Sequence, residues 1–192
     1  SVGHIPTRMA AVGDNSDWLP RGPAATRAAS QAEQEKTLAL IRQGLREGGL
    51  GVGMGIAYTP YASRSEILDV FKLSAAAKVP VFVHMRSGGR KDPGVVDSLQ
   101  EVIADAAATG SPVHVVHINS SSGRAWAEAI GMIRGARARG IDITTEAYPY
   151  VAGMTRLDSA IFDPGWQEKL DSKFEDLMWV DTGERLNEKT FA

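Results

Sequence analysis

What most constrains this chain is a repeat. Apolar strand candidates alternate with amphipathic helix candidates at intervals of about 30 residues, the strands starting at Leu50, Val81, Val113 and Ile141. A strand, a crossover helix and a second strand of the same kind form a parallel βαβ unit, and such units add to a sheet with connections of one hand.

The helices are delimited by their own punctuation. Ser30-Gln31-Ala32-Glu33 reads as a capping box, followed by Leu38, Ile41 and Leu45 at helical spacing and ended by Gly48-Gly49. A second box, Ser63-Arg64-Ser65-Glu66, opens a helix carrying Ile67, Val70, Phe71 and Ser74, and Pro80 stops it. Val95, Leu99, Val102, Ile103 and Ala106 mark a third helix, ended by Gly110. Ser120 to Ser122 are expected to cap a fourth, with Ala125, Ala129, Met132, Ile133 and Ala136 on its buried face. Between them, Leu50 to Ile56 is a strand in which Gly51, Gly53 and Gly55 leave one face bare for another backbone or a ligand. Val81–Met85, Val113–Ile118 and Ile141–Tyr148 read as buried strands. Residues 1–29, rich in Gly, Pro, Asp and Asn, read as a loop leading in. Residues 30–157 hold the βα units, and 158–192 read as an irregular or helical tail, with a weak helical pattern from Trp166 to Phe174.

Two architectures accommodate such a repeat. A doubly wound sheet usually carries a glycine fingerprint that leads from a strand into a helix, and Gly51-Val52-Gly53 runs on into Met54-Gly55 instead. A (β/α)8 barrel gathers its chemistry at the C-terminal ends of many strands, which fits the polar residues that close the strands here. The expected fold is therefore α/β, a partial TIM-type barrel of about four parallel βα units, since a whole barrel takes roughly 250 residues.

Composition narrows the chemistry. The chain has no cysteine, so a metal has to be held by His, Asp, Glu or a modified Lys. A net charge of −2, with both signs interspersed, offers no basic stripe for nucleic acid or anionic lipid. No apolar run is long enough for a membrane helix, and no signal-peptide pattern opens the sequence. The expected partner is a small-molecule substrate, without nucleic acid or membrane, and the expected compartment is the cytoplasm. His84 and His117 close successive strands just before a Gly-rich and a Ser-rich loop, so both arrive at one rim as candidate zinc ligands. His114 precedes His117 by three, which in a strand sends it to the opposite face, against a helix.

Val83-His84-Met85-Arg86, His114-Val115-Val116-His117-Ile118-Asn119 and Glu146-Ala147-Tyr148-Pro149-Tyr150-Val151-Ala152-Gly153 resemble, in order and spacing, motifs of the D-aminoacylase branch of the amidohydrolase superfamily. Gly3 to Arg8, Gly48 to Tyr61 and Trp179 to Phe191 resemble three further segments of that family. The resemblance implies a zinc-dependent barrel hydrolysing the amide of an N-acyl amino acid or a related cyclic amide, with His84 and His117 as metal ligands. Tyr148 resembles a family residue that binds the substrate carboxylate, and His4 and Arg8 fall in a loop of the family where a structural role is expected. Asn119 stands where the family commonly has a lysine, so Arg86, Arg124 or Arg156 is expected to supply the charge instead, and Asn119, Arg86 and Tyr58 join Tyr148 as expected substrate contacts. The family's His-x-His pair and its catalytic aspartate have no counterpart among these residues, whose only histidines are His4, His84, His114 and His117. No catalytic residue is therefore expected within this chain. The general-base Asp is expected outside it, and the remainder of the barrel or a second copy is the expected partner. Two other readings fit the same residues: a non-catalytic barrel segment that binds a small ligand or a partner chain, and an α/β protein whose histidines are purely structural.

Overall fold

The computed structural model describes residues 1–191. In chain order its elements are β1 (Val2–Gly3), α1 (His4–Val12), α2 (Pro23–Thr26), α3 (Gln31–Arg46), β2 (Val52–Gly55), α4 (Arg64–Ala77), β3 (Val81–His84), α5 (Val95–Thr109), β4 (Val113–Val115), α6 (Ile118–Ser122), α7 (Trp126–Ala138) and β5 (Ile143–Thr145). Beyond β5 follow α8 (Trp166–Leu170) and α9 (Glu188–Phe191), with short 3-10 turns between them. No helix among the described residues is long and apolar enough to cross a membrane.

The five strands form one parallel sheet in the order β1-β2-β3-β4-β5. A doubly wound sheet reverses its strand order at a switch point, whereas a barrel adds each strand beside the last. The strictly sequential order is that of a (β/α)8 barrel, and these are five consecutive strands of one. Register aligns Val52 with Val81, Val113 with Val81 and Ile143 with Val113, and all four are buried. These residues, with Met54, Val83 and Val115, pack against Ile41, Ile67, Val70, Phe71, Leu99, Val102, Ala129 and Ile133 of the helical layer. Alternation puts Gly53, Gly55, Phe82, His84, His114 and Thr144 on the other face. Phe82 is 36% exposed there.

Residues 1–29 are not a loop throughout. They contain β1, which pairs with β2, and α1, whose Met9 and Val12 pack with Ala24 and Ala29. The apolar face of α1 is only partly apolar, which hides it: His4 and Arg8 are fully buried on it. Glu66 accepts hydrogen bonds from His4 Nε2 (2.9 Å) and from the Arg8 guanidinium, and Arg8 also donates to the carbonyls of Ala24 (3.0 Å) and Arg27 (2.7 Å). Burial would raise the Glu66 carboxyl, but the His4 and Arg8 bonds and charges outweigh it and hold it below its ordinary value. A buried ion pair is stable only when its donors and acceptors are satisfied; here both Glu66 oxygens are paired, while His4 Nδ1 is buried without a partner among the described residues.

Glu66 also corrects the second capping box. Ser63 accepts the Glu66 N–H at 3.1 Å, but the carboxylate turns inward to His4 and Arg8 instead of returning to the cap. The first box, Ser30 with Glu33, is reciprocal. The serines after β4 do not cap a long helix. They lie inside α6, a 3-10 turn over Gly123–Ala125 follows, and α7 starts after Ala125 without a side-chain cap. The weak helical pattern in the tail becomes α8, where Trp166 stacks on Phe191 and meets Phe162 and Phe174 edge-on.

Candidate metal centre

At the C-terminal end of β3, His84 is the last strand residue and lies level with Gly55 of β2. A Cβ at Gly55 would come within 2.8 Å of Ile5 and 3.0 Å of Tyr58. The bare face expected of this glycine is therefore filled by side chains, and one of them, Tyr58, reaches the His84 ring at 5.2 Å between centroids. His84 is half-buried, and its ring makes no hydrogen bond to the described residues.

His117 arrives differently from the sequence expectation. β4 ends at Val115, and His117 takes a left-handed conformation (φ 38°, ψ 54°) at the entrance to α6. That turn breaks the two-residue alternation. It brings the His117 ring edge-on to His84, with centroids 4.6 Å apart. His114 stays in the strand on the same face as His84. Its ring lies 5.8 Å from Phe82 and its Nδ1 is hydrogen-bonded to the Thr144 hydroxyl at 2.8 Å, so it does not pack against a helix as expected. The parity rule fails because it holds only while the chain remains extended.

Electrostatics at the pair suit a metal. Burial first, and the neighbouring His117 second, push His84 down to about 4, so its ring is neutral at physiological pH. The Ser120 hydroxyl donates to the His117 carbonyl (3.1 Å) and so turns an oxygen lone pair toward Nδ1, 3.2 Å away, with Ser121 Oγ at 3.1 Å. That arrangement favours the tautomer protonated at Nδ1 and leaves the Nε2 lone pair available. Two imidazoles at this separation are a donor set for zinc, but a partial one. No group of three or more His, Asp or Glu side chains among the described residues is placed to hold a metal.

The other expected site residues divide. Tyr148 lies 6.5 Å from His117 and 6.2 Å from Tyr150, ring to ring, and Asn119 donates to its carbonyl at 3.3 Å. Asn119 Oδ1 is buried without a hydrogen-bond partner among the described residues. The Tyr58 hydroxyl is hydrogen-bonded to Thr155 at 3.0 Å. Arg86 does not offer the free cation expected of it. Its guanidinium donates twice to Glu101 (2.9 and 2.7 Å) and to the carbonyls of Pro60 (2.7 Å) and Ala62 (2.9 Å). It ties the loop after β2 to α5. His4 and Arg8 are structural, but on α1 and not in a loop. Sequence reasoning passed over Glu146, whose carboxylate accepts the His117 N–H. Its position at a strand end, one repeat after His117, was the available signal.

No family model matches the chain. It is 30% identical over 161 residues to an N-acyl-D-glutamate deacylase of Alcaligenes xylosoxydans xylosoxydans, and 30% identical over 162 residues to a D-aminoacylase of the same organism. Each match covers 81% of this chain and 30% of the relative, so the chain spans about a third of the length of these relatives. Among solved structures it resembles the N-acyl-D-glutamate deacylase of Bordetella bronchiseptica complexed with zinc and a phosphonate inhibitor, with 26% identity and a TM-score of 0.61 over 77% of this chain and 29% of that one. It also resembles a D-aminoacylase structure, with 29% identity and a TM-score of 0.61 over 72% of this chain and 29% of that one. A further D-aminoacylase structure, 28% identical with a TM-score of 0.60 over 70% of this chain and 28% of that one, is described as having a binuclear metal center.

Proposed function

Taking as premise that the chain is a relative of the D-aminoacylase branch of the amidohydrolases, we propose that the full-length protein hydrolyses the C–N bond of an N-acyl amino acid or a related cyclic amide. This chain contributes His84 and His117 to its zinc site. The observation that carries the reading is the pair itself: two imidazoles from adjacent strand ends, 4.6 Å apart, with the His84 ring free of hydrogen bonds to the described residues. The remaining ligands and the general-base carboxylate come from the rest of the barrel.

Zinc bound there supplies Lewis acidity toward the amide carbonyl and makes water a nucleophile near neutral pH. The residues of this chain hold and frame it. Ser120 and Ser121 fix the His117 ring, and Tyr58 closes the far side of His84. The Tyr148 ring lies beside His117, which supports a role for its hydroxyl in meeting a polar substrate group. Asn119 supports Tyr148 by donating its amide N–H to the Tyr148 carbonyl at 3.3 Å. Arg86 acts on the substrate only indirectly, by fixing the backbone at Pro60 and Ala62, next to Tyr58.

The test is metal content and turnover of the full-length protein on a panel of N-acyl-D-amino acids and cyclic amides. His84→Ala and His117→Ala are each expected to remove zinc from the site and to lower kcat/KM by more than about 100-fold, because loss of a ligand exceeds the 10–100-fold typical of outer-shell changes. A protein that holds no zinc and hydrolyses these amides equally well with both histidines replaced would overturn the reading. A protein that binds its metal without turning over any amide would favour the binding-only alternative.

A further inference from the structure

We propose that Glu146 positions His117, by holding the left-handed turn that directs its imidazole toward His84. The inference rests on the reading of these histidines as metal ligands and adds a residue to it. A non-glycine residue at φ 38° persists only where its surroundings over-determine it. Two bonds from one residue do so here. The Glu146 carboxylate accepts the His117 N–H, and the Glu146 carbonyl accepts the N–H of Ile118 at 3.0 Å. Consecutive N–H groups at a turn point to the same side, and Glu146 meets both from the end of β5.

The anchor behind Glu146 is firm. Thr145, the last residue of β5, donates its hydroxyl to the Val115 carbonyl at 2.7 Å, locking the two strand ends together one residue before Glu146 and two before His117. From the other side, Ser120 and Ser121 hold Nδ1. The His117 residue is thus fixed at its backbone by Glu146 and at Nδ1 by the serines of α6, with its ring 4.6 Å from that of His84. What this requires of Glu146 is a hydrogen-bond acceptor at Oε1, not a negative charge. That distinguishes a positioning residue from a third metal ligand.

The experiment compares full-length wild type, E146Q and E146A, because glutamine retains the acceptor and alanine removes it. In metal-free protein, hydrogen exchange of the His117 amide is read by NMR. Wild type and E146Q are expected to protect this amide alike, and E146A to lose its protection while amides of the β3 and β4 ladder keep theirs. With zinc added, chelator competition is expected to show affinity weakened about 10–100-fold in E146A and close to wild type in E146Q. Equal amide protection in all three proteins would overturn the proposal. So would a loss of zinc in E146Q as large as in E146A, which would make Glu146 a ligand. A wild-type protein that binds no zinc would overturn the metal reading alone, since the amide measurement is made without metal and decides the role of Glu146 by itself.

Discussion

Single residues in this chain show how far a local rule reaches. His84 follows the rule: it closes an apolar strand, and the structure leaves it there, facing His117. His117 and His114 depart from it, because the strand ends at Val115 and a single left-handed residue reverses the expected side. Nothing in the residue types around His117 announces that turn, since the group that holds it, Glu146, is 29 residues away in sequence. Asp105 is similarly opaque from its neighbours along the chain. Burial, then the charge of Glu101, raise it to about 6, and its Oδ2 has no partner. A carboxyl whose folded value lies above its unfolded one stabilises the fold only while protonated, so this contribution is present below about pH 4 and is lost as pH rises through about 6. Asp105→Asn is expected to gain about 1 kcal/mol at pH 8, the full effect of such a shift being reduced by partial exposure, and to gain nothing near pH 4. Urea unfolding of both proteins at the two pH values measures it, and an equal difference at both would refute the assignment.

Among the elements, legibility followed periodicity. α3, α4 and α5 were readable because apolar residues recur on one face and caps or glycines end them. α1 was not, since two of its inward positions are His4 and Arg8, which look like loop residues until Glu66 is brought to them from α4. The loops after β3 and β4 belong together in a way neither sequence reveals. A Cβ on Gly88 would lie 2.4 Å from the Ser121 carbonyl, and the Gly89 N–H donates to that same carbonyl at 3.0 Å. Gly88→Ala is therefore expected to push α6 away, costing about 1–3 kcal/mol and loosening Ser121 from His117. Thermal unfolding gives the first figure, and the His117 ring resonances report the second. Stability and ring environment both unchanged would show that the two loops do not need this close approach.

The molecule as a whole is a sheet with a filled face and an open one. Its valines and Ile143 are buried under the helices, while the opposite face carries Phe82, His84, His114 and Thr144. The tail beyond β5 adds a separate aromatic knot in which Trp166, 3% exposed, touches Phe162, Phe174 and Phe191. Removing that centre is expected to cost about 3–5 kcal/mol within the knot and to leave the sheet intact. In Trp166→Ala, limited proteolysis should then cut between residues 158 and 191 before it reaches the βα units, and simultaneous loss of both regions would show that they fold as one. From the residues alone came the alternation of strand and helix, the parallel sheet, the barrel class and the two histidines at neighbouring strand ends, because hydrophobic period and capping act over a few residues and are written locally. Only the tertiary structure decided that His117 meets His84 across a left-handed turn, that Arg86 binds Glu101 and two carbonyls instead of standing free, and that Glu146 faces a backbone N–H. Those outcomes depend on groups far apart in sequence competing for the same donors and acceptors, and burial settles that competition only once the sheet has formed.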